Sequence, residues 1–376
     1  MNLKTTPKNN VYLNYKEILY FISKCLTISL EDKNRLEIEK RLQSKTINWE
    51  SVVEVSTAHY VFPALYCNLK RVGFLSYLPQ ELVNFMEHIT NLNRERNQQI
   101  ISQAKELNTL LLKNNITPIF LKGTGNLLEG LYEDIGERMV GDIDFLLSKK
   151  DSYRAFRILE NDNYYTPETL LNNPPDHRHF PRLIKKNNIA AVEIHCKLLI
   201  SKYDNEFNYS FVAKDTQIIG AYSVLSYANK LNFSILSNQI NDNGFFYKSI
   251  PLRNAYDVFL LSKKTNAKEA VISLDTLNHP LNCFLASCYE VFNSVASLEY
   301  NNTKQVASYL SDFNSQFANP KATHRKHKII QIYLFLKHRL NIIYKSIIYK
   351  EYRVWLFKRV IDKNWYKEKL IKLGFK

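Results

Sequence analysis

At 376 residues, with 45% hydrophobic and 23% charged side chains, the chain has room for two or three domains and a sizeable core. Only 9 glycines and 11 prolines exclude collagen-like and most low-complexity organisations. Lys+Arg 51 against Asp+Glu 36 leave a net charge of +15, which suits an acidic partner such as a nucleotide, a nucleic acid or an anionic membrane. Arginine accounts for 15 of the 51. The chain is also rich in Asn, Ile and Tyr, and a compositional drift toward these residues would raise lysine without selection for binding.

Residues 1–10 are polar and lack the apolar segment of a signal peptide. Residues 11–112 read as an N-terminal helical region, with apolar residues at spacings of three and four (Ile18, Phe21, Ile22, Cys25; Leu107, Leu110, Leu111). A long helix is expected from Pro79 to about Asn114, carrying a polar stripe of Asn93, Arg94, Arg96, Asn97 and Gln98. The texture changes at 113–205, the expected core. Residues 116–121 form a short apolar strand, with Pro118 near its start. Gly123 and a helix over 124–132 follow, then a loop marked by Gly136 and Gly141. A second strand covers 142–147, and a helix capped by Asp151 covers 151–161. Strands at 180–185 and 190–198 flank the hairpin turn Lys186-Asn187-Asn188.

From about 206 to 320 the chain reads helical again. The tail, 321–376, holds 16 Lys/Arg and 3 Asp/Glu, so nearly all the net charge sits there. Its basic residues alternate with aromatics, from Tyr333 through Trp355 to Trp365 and Tyr366. RNA binding, an amphipathic helix on an anionic membrane, and a packed helix pair with solvated lysines all fit. The five cysteines, at 25, 67, 196, 283 and 288, form no CxxC pair and read as reduced thiols. No apolar run approaches the roughly 20 residues of a spanning helix. The expected location is cytoplasmic, with peripheral membrane attachment through the tail as a variant.

The chemistry concentrates in two places. Asp142 and Asp144, 19 and 21 residues after Gly123, share one face of a strand, with about 6.5–7 Å between their Cα atoms. Ile143 and Phe145 point the other way. Two carboxylates this close repel unless a cation joins them, and oxygen-rich sites suit Mg²⁺ or Mn²⁺. Glu193 lies on a later apolar strand and shares a face with His195. If that strand lies beside 142–147, Asp142, Asp144 and Glu193 form a three-carboxylate site able to hold two ions, the arrangement for in-line phosphoryl chemistry. His195 is placed for a hydrogen bond to that site, or is a satisfied core histidine. The turn at Gly123 offers free backbone N–H groups at a helix N-terminus, a phosphate cradle. Lys122 adds a point charge, and Arg138 is expected as a bidentate phosphate clamp. His177-Arg178-His179 reads as a loop facing phosphate or acceptor, with His179 near the site, or as plain surface.

These segments (Phe120-Leu-Lys-Gly123, Leu131-Tyr132, Arg138, Gly141-Asp-Ile-Asp-Phe-Leu-Leu147, Val192-Glu-Ile-His195) resemble the DNA polymerase β-type nucleotidyltransferase superfamily. Within it, the likeness is to a bacterial group of largely uncharacterised nucleotidyltransferases with a Leu-Lys-Gly motif. Asn48-Trp49-Glu50, Phe62-Pro-Ala-Leu-Tyr66 and Arg253-Asn-Ala-Tyr-Asp257 extend it more loosely. The resemblance implies an α+β fold: a small mixed β-sheet nucleotidyltransferase core flanked by helical regions. It implies transfer of a nucleoside monophosphate from an NTP to an acceptor, with release of pyrophosphate. Asp142 and Asp144 would hold both metals, and Glu193 would complete the metal site that activates the acceptor hydroxyl. Gly123, with Lys122 and Thr124, would hold the β- and γ-phosphates. Gly-Thr replaces the wider superfamily's Gly-Ser, and the Gly123-to-Asp142 spacing is longer than in minimal members.

Two other readings compete. Val140-Gly-Asp-Ile-Asp-Phe-Leu also suits an Asp-x-Asp glycosyltransferase using a nucleotide-sugar, although the helical first 112 residues do not resemble the nucleotide-binding half such enzymes carry. A toxin- or defence-type nucleotidyltransferase would act on tRNA or protein. The acceptor, whether sugar, small molecule, RNA or protein, is not encoded in these motifs.

Overall fold

The computed structural model describes residues 8–167 and 174–361. Its helices are α1 (Lys8–Cys25), α2 (Asp32–Gln43), α3 (Trp49–Ala58), α4 (Phe62–Arg71), α5 (Gln80–Lys113), α6 (Lys122–Glu129), α7 (Lys149–Asn161), α8 (Tyr209–Val212), α9 (Tyr227–Leu236), α10 (Gly244–Tyr247), α11 (Leu252–Ser262), α12 (Ala267–Ile272), α13 (Asn278–Val291), α14 (Lys304–Ala318), α15 (Pro320–Ile348) and α16 (Lys350–Ile361). The strands are β1 (Ile119–Phe120), β2 (Asp142–Leu146), β3 (Ala191–His195), β4 (Thr216–Ile219) and β5 (Tyr222–Leu225). They form one mixed sheet in the order β3-β2-β1-β5-β4, so the α+β expectation holds.

β2 and β3 are parallel, with Asp144 opposite Glu193; β1 is antiparallel to β2 and parallel to β5. The inner layer is apolar: Ile143, Phe145, Val192 and Ile194 are fully buried, and Phe120 meets Phe145 edge-on at 6.0 Å. The same alternation that buries these residues sends Asp144 and Glu193 to the opposite face.

Several boundaries differ from the sequence reading. β1 shrinks to two residues, because residue 121 already leads into α6. α7 starts two residues early: the cap is the Ser148 hydroxyl, which accepts from the Asp151 N–H. Segment 180–185 makes only isolated bridges, Leu183 to Val192 and Ile184 to Tyr165, with His179 to His195 just before it. The hairpin β4–β5, turned at Gly220 with φ +59°, lies in a stretch expected to be helical and carries the sheet past residue 205.

The long helix α5 acquires a role that periodicity did not suggest. Its polar stripe grips the loop 134–141. Asn93 donates to the carbonyls of Gly136 and Arg138, Asn97 to that of Arg138, and Arg94 pairs with Asp134. Gln103 exchanges two hydrogen bonds with the backbone of Ala190. One helix thus fixes the entrances of both β2 and β3.

At the other end, α15 and α16 are mostly exposed. Of their side chains, Ile342, Ser346 and Tyr352 are buried. Trp365 and Tyr366 lie outside the described residues. Among the described residues no helix is long and apolar enough to cross a membrane.

Candidate active site

Two close approaches shape the turn before the site. A Cβ on Gly123 would meet Val140 at 2.7 Å, and one on Gly125 would meet the Phe120 carbonyl oxygen at 2.6 Å. Only glycine lets α6 start this tightly against β1 and the loop before β2. Lys122 sits at φ +49°, a left-handed conformation unusual for a side-chain-bearing residue. From there its Nζ donates to Asp144 Oδ1 at 2.6 Å.

Asp144, Glu193 and His195 are buried, and each offers a ligand atom within 4.8 Å of the others. His195 Nε2 lies 2.8 Å from Asp144 Oδ1 and 3.6 Å from Glu193 Oε2. Asp142 is more open and joins the group through Arg182. That guanidinium donates to Asp142 Oδ2 at 3.0 Å and to Glu193 Oε1 at 2.8 Å. All three expected carboxylates therefore converge. His195 stands among them rather than behind them, and His179 Nε2 lies 4.0 Å from Glu193.

The electrostatics separate the three acids. Burial pushes Asp144 up, but the Lys122 ammonium and the His195 hydrogen bond outweigh it and hold the carboxyl below its usual value. Burial acts the same way on Glu193, yet His195, His179, Lys122 and Arg182 together hold it far below the glutamate range. Asp142 goes the other way: burial raises it, Glu193 and Asp144 add to the rise, and Arg182 only partly opposes them. Burial brings His179 down to about 4, so its imidazole is neutral at pH 7.

The phosphate-binding candidates divide. Thr124 is fully buried, and its hydroxyl donates to the Asp142 carbonyl at 3.0 Å; it ties α6 to β2. Arg138, expected as a phosphate clamp, is 7% exposed and directs its Nε and Nη2 donors at Asp257, at 2.8–3.1 Å. It holds α11 to the loop before β2. Asp257 also accepts from Tyr132 at 2.7 Å.

Lys122, Arg178, Arg253 and Asp242 line a pocket of about 140 Å³. Burial lowers both arginines from their usual values, Arg138 adding to the effect on Arg253. Arg253 Nε is buried and has no hydrogen-bond partner among the described residues. Through Asp242, Arg253 and Asn254 the pocket adjoins a cavity of about 1110 Å³ between α1, α3, α14 and α15.

Sequence reasoning missed Arg182, although a signal was present. Leu183 bridges Val192, so the hairpin centred on residues 187–188 sets Arg182 across from Glu193, and cross-strand partners share a face. Arg253 stood in a segment noted for its resemblance, without a role attached.

A family model described as an uncharacterised nucleotidyltransferase matches residues 45–290. The chain belongs to this nucleotidyltransferase family. The match covers every strand and all the site residues named above, and it extends well beyond the sheet into the helices on both sides. Neither a search of curated proteins nor one of solved structures gave a match. For this nucleotidyltransferase the donor set of two carboxylates and one imidazole, with a third carboxylate beside them, fits a divalent cation. His195 reaches the group through Nε2, 2.8 Å from Asp144 Oδ1, while its buried Nδ1 has no partner among the described residues.

Proposed function

We infer that the protein transfers a nucleoside monophosphate from an NTP to an acceptor hydroxyl, with release of pyrophosphate, in the manner of the DNA polymerase β-type superfamily. The observation that carries this reading is the register of β2 and β3, which sets Asp144 opposite Glu193 with Lys122 from the glycine turn on the same carboxylate. Asp144, Glu193 and His195 would hold one divalent ion, and Asp142 would help hold a second. Such ions, when bound, supply the positive charge that offsets the charge on the phosphates and lowers the pKa of the attacking hydroxyl.

The chain's own residues do the positioning. The first N–H groups of α6 point away from its hydrogen-bonded turns and are available to phosphate oxygens. Lys122 brings a cation to the same end. Arg178 and Arg253, half-buried and poor in partners, line the adjoining pocket and favour an anionic tail there over water. Arg138, committed to Asp257, supports that pocket from behind. The larger cavity next to it gives the acceptor room. Arg182 holds Asp142 and Glu193 together against their mutual repulsion.

The test is incubation with each α-labelled NTP, Mg²⁺ or Mn²⁺ and cell lysate. Label should pass to one fraction, which identifies the acceptor, and pyrophosphate should appear in step. Asp144→Asn keeps the side-chain volume and should reduce transfer by about a thousandfold, since losing an ionised metal ligand costs several kcal/mol. Undiminished transfer by a folded Asp144→Asn protein would remove the assignment.

A further inference from the structure

Helix α15 carries an exposed apolar face. Ile329, Ile332, Leu336, Leu340, Ile343 and Ile347 are each more than half exposed. At 100° per residue these positions fall within about 80° of arc, a stripe some 27 Å long. Residues that seat the helix on the protein lie on other faces. Ile342 and Ser346 are buried, Lys345 pairs with Asp176 at 2.5 Å, and His327 meets the Tyr247 ring. Lys326, paired with Asp312 at 3.8 Å, and Lys337, over the Phe246 and Tyr333 rings, border the stripe on one side, and Lys321, Lys328 and Arg339, over the Phe335 ring, on the other. Residues 321–361 contain 11 Lys/Arg and one acidic residue, Glu351.

We propose that α15 lies on an anionic lipid bilayer, with its aliphatic stripe at the acyl boundary and the flanking lysines and arginines among the headgroups. An amphipathic helix with a basic border is the form such contacts take. Charge selects this occupant. A second copy would bring two strongly basic faces together, and like charges at an interface oppose association. Single-stranded RNA is gripped by stacking aromatics; Tyr333 and Tyr344 only border this stripe, whose whole length is isoleucine and leucine. The helix lies on the membrane rather than crossing it, since no described helix is apolar enough to span.

The test is co-sedimentation of the full chain with phosphatidylcholine vesicles, with and without phosphatidylglycerol. Three proteins are compared: wild type, a stripe variant (Ile332→Ser, Leu336→Ser, Leu340→Ser and Ile343→Ser together) and a charge variant (Lys321→Gln, Lys328→Gln and Lys337→Gln together). Wild type should partition onto phosphatidylglycerol vesicles and not onto phosphatidylcholine alone. The stripe variant should bind about tenfold or more weakly, and the charge variant and high salt should also weaken binding. Circular dichroism checks the fold of each variant; should the stripe variant lose helix, the charge variant decides. Equal binding to both vesicle types, or unchanged binding by a folded stripe variant, overturns the proposal. So does the absence of vesicle binding alongside either a wild-type dimer that the stripe variant loses or an RNA shift that it keeps.

Discussion

Replacing Asp257 with alanine tests whether Arg138 is a structural cation or a phosphate clamp. Arg138 is 7% exposed and Asp257 1%, and three N–H···O contacts join them. Burial lowers the guanidinium pKa, and Asp257 with Tyr132 more than restores it. Asp257→Ala leaves that guanidinium without its carboxylate and takes the acceptor from the Tyr132 hydroxyl. Breaking a buried pair on one side costs about 3–5 kcal/mol, a large part of the 5–15 kcal/mol that typically holds a domain. Arg138→Met should cost a similar amount, since Asp257 is then the orphan. The double variant, Arg138→Met with Asp257→Leu, removes both charges and should cost no more than either single change, giving a coupling energy of about 3–5 kcal/mol. Urea denaturation of the four proteins measures it. The reasoning fails if Arg138→Met alone costs less than about 1 kcal/mol while abolishing nucleotide transfer, because the arginine would then serve the substrate and not the fold.

Arg182→Gln removes a cation that contends with a divalent ion for the oxygens of Asp142 and Glu193; the Mn²⁺ concentration for half-maximal activity should fall two- to fivefold, in line with the roughly 0.2–1 kcal/mol of a partly exposed ion pair. An unchanged or higher midpoint in a metal titration contradicts this. His59 accepts the Leu252 N–H on Nδ1 at 3.1 Å, and burial lowers it to about 4. Its unfolded form takes up a proton near pH 6.5 while the folded form does not, so stability is full above pH 6.5 and declines as pH falls toward 4. The loss is at most about 3 kcal/mol, and His59→Gln should flatten this part of a pH series of melts. Gly125→Ala drives a methyl into the Phe120 carbonyl and should destabilise by about 1–3 kcal/mol, read from the denaturation midpoint.

Much of the site was legible because strand geometry is local. A period of two dictates that Asp142 and Asp144 share a face and that Glu193 and His195 share another, whatever surrounds them. The glycine turn was equally readable, since a backbone this crowded admits no side chain. The apolar halves of β2 and β3 marked which face would be buried. Other elements were hidden for the same reason. Four-residue strands such as β4 and β5 carry too little pattern to stand out among helices.

Pairing across distance belongs to the tertiary structure. That β3 runs parallel beside β2, with Asp144 facing Glu193, depends on how α5 anchors the two strand entrances through Asn93, Asn97 and Gln103. That Arg138 meets Asp257, 119 residues away, rather than a ligand, depends on α11 closing over the loop before β2. Arg178 and Arg253 come from segments 75 residues apart and line one pocket only in the folded chain. Local backbone geometry sets which way a side chain points; the packing of distant elements sets what it finds there.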